Sequence, residues 1–361
     1  MHAVWMASGP LKTPIPERLA VFAILACGAA ARLTWAIVRH VTPVPGESHN
    51  VAVSLARTGK FAGAFVGGGM TAHVGMLTPI PSAVIYGLLG VESPIAEYAL
   101  VIWNIGLVSL GVWLCWRLAC ALDVPRVARV AAVALAALMP LQFDLELQGG
   151  RNWEVNLAVP LLLWILLRLV TRDRKESIGA RDLAITGAIS GILFIVSPPA
   201  GLASVAAIGL FQILRLRPAQ WWAAPAAFVL VTGILGGLWV ERNLVQLGEP
   251  IALRDNLGLE LAVSNYPGAM FPADPRAAYL ARLHDIHPNG GGAAIAAMRA
   301  AGGEVSYYHK LGKEAGSWMA NHPSDLLYLS ARHFLQFYLP PKWFWYTHGN
   351  PGKILWLRQS R

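Results

Sequence analysis

The chain has 361 residues, with 29 Lys plus Arg against 20 Asp plus Glu and a formal charge of +9. Only 14% of residues are charged and 55% are hydrophobic, where soluble domains carry roughly 25% charged residues. More apolar surface is present than one water-soluble core of this length can hide. A disordered tail, a disulfide-stapled secreted module and an ordinary soluble enzyme are excluded, and the composition is that of a membrane protein. In such a chain Lys and Arg report topology first and anionic partners second.

The stretch up to Arg18 contains Pro10, Pro14 and Pro16, and the apolar run after it lacks a small-residue cleavage site. It reads as a retained span rather than a removed signal peptide. A helix needs about 20 mostly apolar residues to cross a bilayer. The runs 19–38, 95–116, 130–143, 155–170, 183–196, 200–214 and 221–240 approach or meet that length, predicting an all-α polytopic bundle of about seven or eight transmembrane helices. Ser197, Pro198 and Pro199 divide one long uncharged run. Two consecutive prolines cannot continue a helix, so two antiparallel spans joined by a tight turn are expected. Cys27, Cys115 and Cys120 lie in apolar stretches without metal-site or disulfide spacing and read as core filler.

Arg117, Arg126 and Arg129 fall in one connection, Arg168, Arg172, Arg174, Lys175 and Arg181 in another, and Arg215 and Arg217 in a third. All three share a side if the N-terminus is cytoplasmic. The segment 39–94, the short loop 144–154 and everything after Glu241 then face the opposite compartment. Within 39–94 the sequence predicts a polar helix over 47–58, a turn at Gly67, Gly68 and Gly69, and an apolar interfacial stretch over 76–89. The division expected is a transmembrane module over 1–240, whose first outward loop carries the site, and a membrane-associated non-cytoplasmic region over 241–361. Its aromatic end (Phe334, Phe337, Tyr338, Trp343, Phe344, Trp345, Tyr346) suits a headgroup boundary.

Ionisable groups in or beside spans cost several kcal/mol, so each is a candidate. Arg32 either snorkels to the interface or meets an anionic ligand. Glu47, after Pro45 and Gly46, is a helix-start carboxylate favoured by the macrodipole, or an acid/base group. His73 reads as an interfacial hydrogen-bonding residue before it reads as a catalyst. Arg151 and Glu154 have the spacing of a local ion pair. Asp144 and Glu146 flank the same loop and would share a compartment with Glu47, where converging carboxylates make an acid/base or cation site. Phosphate-binding glycine loops, HExxH, nucleophile elbows and paired-cysteine zinc patterns are absent from the sequence. The basic residues are not interleaved with aromatics, so no nucleic-acid partner is expected.

The run Glu47, Asn50, Val51, Ala52, Ser54, Leu55, Ala56, Gly59, Phe61, then Thr71, Ala72, His73, Pro79, Tyr86, Leu89 and Gly90 resembles GT-C superfamily membrane glycosyltransferases. More narrowly it is similar to the family 39-like group of dolichyl-phosphate-mannose protein mannosyltransferases and bacterial aminoarabinose transferases. Trp239, Arg242, Asn243, Leu247, Gly248, Pro250, Asp255, Asn256, Gly258 and Asn265 resemble the segment after the seventh span, and Gly303, Glu304, Tyr307, His322, Pro323 and Arg332 fit the tail.

The resemblance implies an inverting glycosyltransferase that moves a sugar from a polyprenyl-phosphate carrier to a hydroxyl of a glycan, lipid or protein acceptor on the non-cytoplasmic face, in a bacterial inner membrane. It places the family's first-loop acid on Glu47 and the second on Glu154, with Asp144 as the other option. Arg32, His73, Arg151, Arg242, Asn243 and Asn256 become candidates for binding donor phosphate or substrate. Relatives often carry two neighbouring acids in the first loop, whereas Gly46 and Ser48 flank Glu47 here. A divalent metal on Glu47, Asp144 and Glu154 therefore stays an open possibility. Two alternatives remain: an inactive lipid-carrier or glycan-binding assembly protein on the same fold, and a transporter of lipid-linked sugar.

Overall fold

The computed structural model describes residues 15–41, 46–65, 67–140, 143–147, 153–173, 179–215 and 221–339. Among these residues the chain is helical, with an isolated bridge between Ala62 and Met70 and no strand. In chain order the helices are α1 (Ile15–Arg39), α2 (Glu47–Thr58), α3 (Ile80–Leu89), α4 (Pro94–Ala121), α5 (Arg126–Leu138), α6 (Phe143–Leu147), α7 (Trp153–Asp173), α8 (Ala180–Val196), α9 (Pro198–Arg215) and α10 (Ala223–Leu247). They continue with α11 (Leu257–Ser264), α12 (Pro275–Ile286), α13 (Gly292–Ala300), α14 (Glu304–Asn321) and α15 (Pro323–Tyr338).

The chain divides into two compact units, Met1–Val44 with Met76–Leu238, and Pro45–Gly75 with Trp239–Arg361. The boundary in α10 lies close to residue 240, and the segment Pro45–Gly75 belongs to the same unit as the C-terminal region.

In the first unit every apolar run falls in a helix. Among the described residues of the whole chain, five helices are long and apolar enough to cross a membrane: α1, α4, Trp153–Arg172 of α7, α9 and α10. Large apolar side chains on their outer faces, among them Phe22, Ile37, Ile102, Val229 and Leu230, are exposed, as lipid-facing surfaces are. The molecule is thus an all-helical polytopic membrane protein. Helix α5 has 13 residues and α8 has 17. The run expected to reach residue 143 ends as helix at Leu138, because Met139 precedes Pro140 and takes an extended conformation. The proline pair acts as expected: α8 stops at Val196, Ser197 is extended and α9 begins at Pro198.

Local chemistry sets the other ends. Ser93 caps α4, its hydroxyl accepting the Ala96 N–H at 3.2 Å with Pro94 in the first turn. One core joins α1, α4 and α5 through Val21, Val112, Trp116, Cys120, Val133 and Ala137, and another joins α7, α8, α9 and the start of α10 through Ile165, Leu169, Leu183, Leu193, Ile208 and Ala224. Of the three cysteines only Cys120 fills core, since Cys27 and Cys115 point outward. At one end of this unit Glu17 is fully buried and accepts from Arg129 at 2.7 Å and Trp116 at 3.1 Å. Arg129, expected in a cytoplasmic connection, is held in a tertiary ion pair with Glu17.

In the second unit α2 ends at Gly59, whose φ of 69° is the left-handed cap glycine accommodates best. Asp274 caps α12 by accepting from Arg276 and Ala277 N–H. Helices α11 and α14 cross where Gly258 lies directly on the Tyr308 carbonyl and Gly312.

Candidate functional site

Within the second unit, Glu47 opens α2 with its side chain 22% exposed. The Asn289 side-chain amide donates to Glu47 Oε1, and His287 Nε2 lies 3.8 Å from the same oxygen. His287 is in turn edge-on to His73, with ring centroids 5.9 Å apart. His73 is buried, packed against Phe65 at 4.8 Å, and its Nδ1 is 3.0 Å from the Tyr308 hydroxyl. Three chain segments meet here: the stretch from the start of α2 to His73, the turn after α12, and α14.

Burial sets the charge state. It pushes His73 down to about 3, helped by His287 and then Arg254. Burial likewise lowers His287, opposed by Glu47 and Glu260. Tyr308 is pushed up by burial and then by the nearby carboxylates, Glu304 first. At neutral pH Glu47 therefore faces neutral hydrogen-bonding partners rather than imidazolium ions.

Donor atoms of Glu47, His73 and His287 all lie within 4.8 Å of one another, a spacing one divalent ion can span. Proton positions decide how well they fit. His287 Nδ1 accepts the Asn289 N–H at 3.1 Å. The proton of its neutral ring then sits on Nε2, the nitrogen facing Glu47, and a metal needs that nitrogen bare. As arranged, the trio is a carboxylate and two neutral imidazoles in close approach, with Glu47 hydrogen-bonded to Asn289, and ligation by His287 requires the bond from the Asn289 N–H to open.

The residues around His73 are tied down. Thr71 Oγ1 donates to Glu304, 2.8 Å from each oxygen, and accepts the His73 N–H at 3.0 Å. The Ala72 N–H donates to Glu304 at 3.0 Å. Arg242 donates to the Thr71 carbonyl at 2.7 Å and the Phe61 carbonyl at 2.6 Å, and its guanidinium lies over the Phe61 and Trp239 rings. Asn243 donates to the Ile251 carbonyl at 2.8 Å, and Asn256 to Glu260 at 3.1 Å. Arg242 and Asn243 thus hold backbone carbonyls, while Asn256 pairs with the Glu260 side chain one turn on.

The other predicted residues lie in the first unit. Arg32 is buried, bonded to Glu146 at 2.7 Å and to the Ala137 carbonyl at 2.6 Å, with its guanidinium 4.4 Å from the Phe143 ring centre. Glu154 accepts from the Thr78 hydroxyl, and Trp153 Nε1 donates to the Thr78 carbonyl at 2.5 Å. Arg151 and the Asp144 side chain lie outside the described residues. Sequence reasoning missed His287, Asn289 and Tyr308, and gave Asp255 and Glu304 no role. The visible signal was the turn His287, Pro288, Asn289, Gly290, Gly291, which mixes a ligand-type side chain with turn formers. No family model matches the chain, and neither does any curated protein or solved structure.

Proposed function

We propose that this protein is an inverting membrane glycosyltransferase that transfers a sugar from a polyprenyl-phosphate carrier to an acceptor hydroxyl, with Glu47 as general base. The observation that carries the reading is the setting of Glu47: a partly exposed carboxylate held by Asn289 and facing a neutral imidazole. In the transfer the acceptor oxygen attacks the anomeric carbon as the bond from that carbon to the carrier phosphate breaks. The acceptor proton passes to Glu47, and the phosphate departs with the bond pair. A phosphate leaving group needs no general acid but gains from a cation, and Arg254, in the same unit as Glu47 and with its charge reaching His73, is the candidate. A divalent ion, where one enters, would be held by Glu47 and the His73 nitrogen not engaged by Tyr308, and would supply charge for the departing phosphate.

On this reading all seven apolar helices are spans of a bacterial inner membrane, the N-terminus is cytoplasmic, and Glu47 works on the opposite face. The isoprenoid tail stays in lipid while its phosphate meets the loop. The resemblance of the first outward loop and the post-span segment to GT-C enzymes supports the same assignment.

The test is release of polyprenyl phosphate by purified full-length protein from a panel of radiolabelled polyprenyl-phosphate sugars, wild type against Glu47→Gln. Loss of roughly 10²-fold or more is expected. Undiminished release by the variant overturns the role of Glu47. Tight binding without turnover in both proteins points to a carrier-binding protein, and labelled counterflow in proteoliposomes to a transporter.

A further inference from the structure

Beside the cluster, the second unit buries a carboxyl group that its charged form leaves unsatisfied. Asp255 lies between α10 and α11, and its N–H donates to the Ala72 carbonyl at 3.2 Å. Both of its carboxyl oxygens are buried, and no donor among the described residues reaches either. The group at hydrogen-bonding range is another acid, Glu304, the first residue of α14. Glu304 already accepts the Thr71 hydroxyl and the Ala72 N–H, so it is the member suited to carry the negative charge. A carboxylate accepting two donors favours its ionised form, whereas a buried carboxylate without any donor favours protonation. Two ionised carboxylates at this range have no hydrogen between them. One proton supplies the missing bond and removes the repulsion, as in other carboxyl pairs that share a site.

The groups facing the pair agree. Tyr308 on α14 is a neutral phenol, pushed up by burial and by Glu304 and Asp255. Arg242 on α10 feels the Glu304 charge. Arg254 adjoins Asp255 in the chain, and His73 is neutral. Burial first, and then Glu304, raise Asp255 from its ordinary 3.8 to about 9.

We propose that Asp255 holds a proton and donates it to Glu304, and that this proton-sharing pair is a positioning device fixing the Thr71–Ala72–His73 segment next to Glu47. Glu304 grips Thr71 and Ala72 through their donors while Asp255 grips the Ala72 carbonyl through its N–H. The proton between the two acids joins both grips into one clamp. Opening the clamp frees the residue before His73, which has no helix or sheet of its own to hold it. The pair stands whatever the protein's activity, and only its link to turnover rests on the reading above.

The sign follows from the raised value. The unfolded chain releases the Asp255 proton above about 4, whereas the folded protein keeps it to about 9. The stability this group confers is therefore whole below the unfolded value and is lost as pH rises towards 9. The experiment is an infrared titration of full-length protein in D2O, pH 5 to 10, with thermal melts at each pH. Wild type should show the carbonyl band of a buried protonated carboxyl at pH 7 that fades near pH 9, and a melting temperature that falls from pH 5 up to about pH 9 and levels off above it. Asp255→Asn replaces the proton with an amide donor to Glu304, and should lose the band and flatten the melting profile. Absence of the band in wild type at pH 7, or its persistence in Asp255→Asn, overturns the proposal. The wild-type titration needs no variant, so a misfolded mutant does not shield it. In a transferase assay, the alkaline limb should shift in Asp255→Asn. With no turnover under any donor, the infrared and thermal results still decide the pair independently of the glycosyltransferase reading.

Discussion

The Tyr308 hydroxyl lies 3.0 Å from His73 Nδ1, tying the second turn of α14 to the segment that follows the glycine turn at Gly67–Gly69. Both groups are buried and both are neutral at physiological pH. The bond engages Nδ1, and whether Tyr308 donates or accepts in it fixes whether His73 carries its ring proton on Nε2 or on Nδ1.

Tyr308→Phe should accordingly loosen His73 without emptying the core. Leaving one buried imidazole nitrogen unpaired costs about 1–3 kcal/mol. A lower melting temperature in detergent is expected, together with a transfer rate that falls while helical content by circular dichroism stays the same. A variant as stable as wild type would show that the bond contributes nothing to the fold.

Gly258→Ala should disturb the same bond from the other side. An added Cβ would sit 2.0 Å from the Tyr308 carbonyl oxygen and 3.0 Å from the Gly312 nitrogen, both backbone atoms that cannot swing aside. Helices α11 and α14 must separate, at a cost of about 1–3 kcal/mol or more. Gly236→Ala, where a Cβ meets nothing within 4 Å, is the control and should melt like wild type.

In the first unit, Glu146→Gln should strand Arg32. That guanidinium is buried, and among the described residues its acceptors besides Glu146 are the backbone carbonyls of Gly28, Ala136 and Ala137. Removing one partner of a buried pair costs about 3–5 kcal/mol. The carbonyls place this case toward the lower end. A double-mutant cycle with Arg32→Met should recover part of the loss, and strict additivity of the two substitutions would refute the coupling.

Metal removal gives a sharp outcome because of one proton. With His287 Nδ1 accepting the Asn289 N–H, treatment with EDTA should leave the melting temperature unchanged, and cobalt should raise it little in wild type. A large EDTA-induced drop, abolished in His287→Ala, would mean that His287 gives up the Asn289 bond to ligate an ion.

The amino-acid sequence by itself determined the class of molecule. Hydropathy over windows of about 20 residues is a local property, and its seven runs coincide with α1, α4, α5, α7, α8, α9 and α10. The Ser197–Pro198–Pro199 break was equally legible, because proline acts on its own backbone and its immediate neighbour. Glu47 and His73 stood out as polar groups beside apolar runs, and the polar helix over 47–58 appears at those residues. What each polar residue touches was decided only by tertiary structure. Arg32 was balanced between water and an anion, and a carboxylate from α6 claims it. Arg242 looked like a phosphate ligand in sequence, and in the fold it binds the Thr71 and Phe61 carbonyls. His287, Asn289 and Tyr308 lie more than two hundred residues after Glu47 and His73, so no local pattern links them. The same holds for Asp255 and Glu304, two unremarkable acids in the sequence. A carboxyl group's protonation depends on burial and on which donors reach it, and those follow from long-range packing rather than from neighbours along the chain.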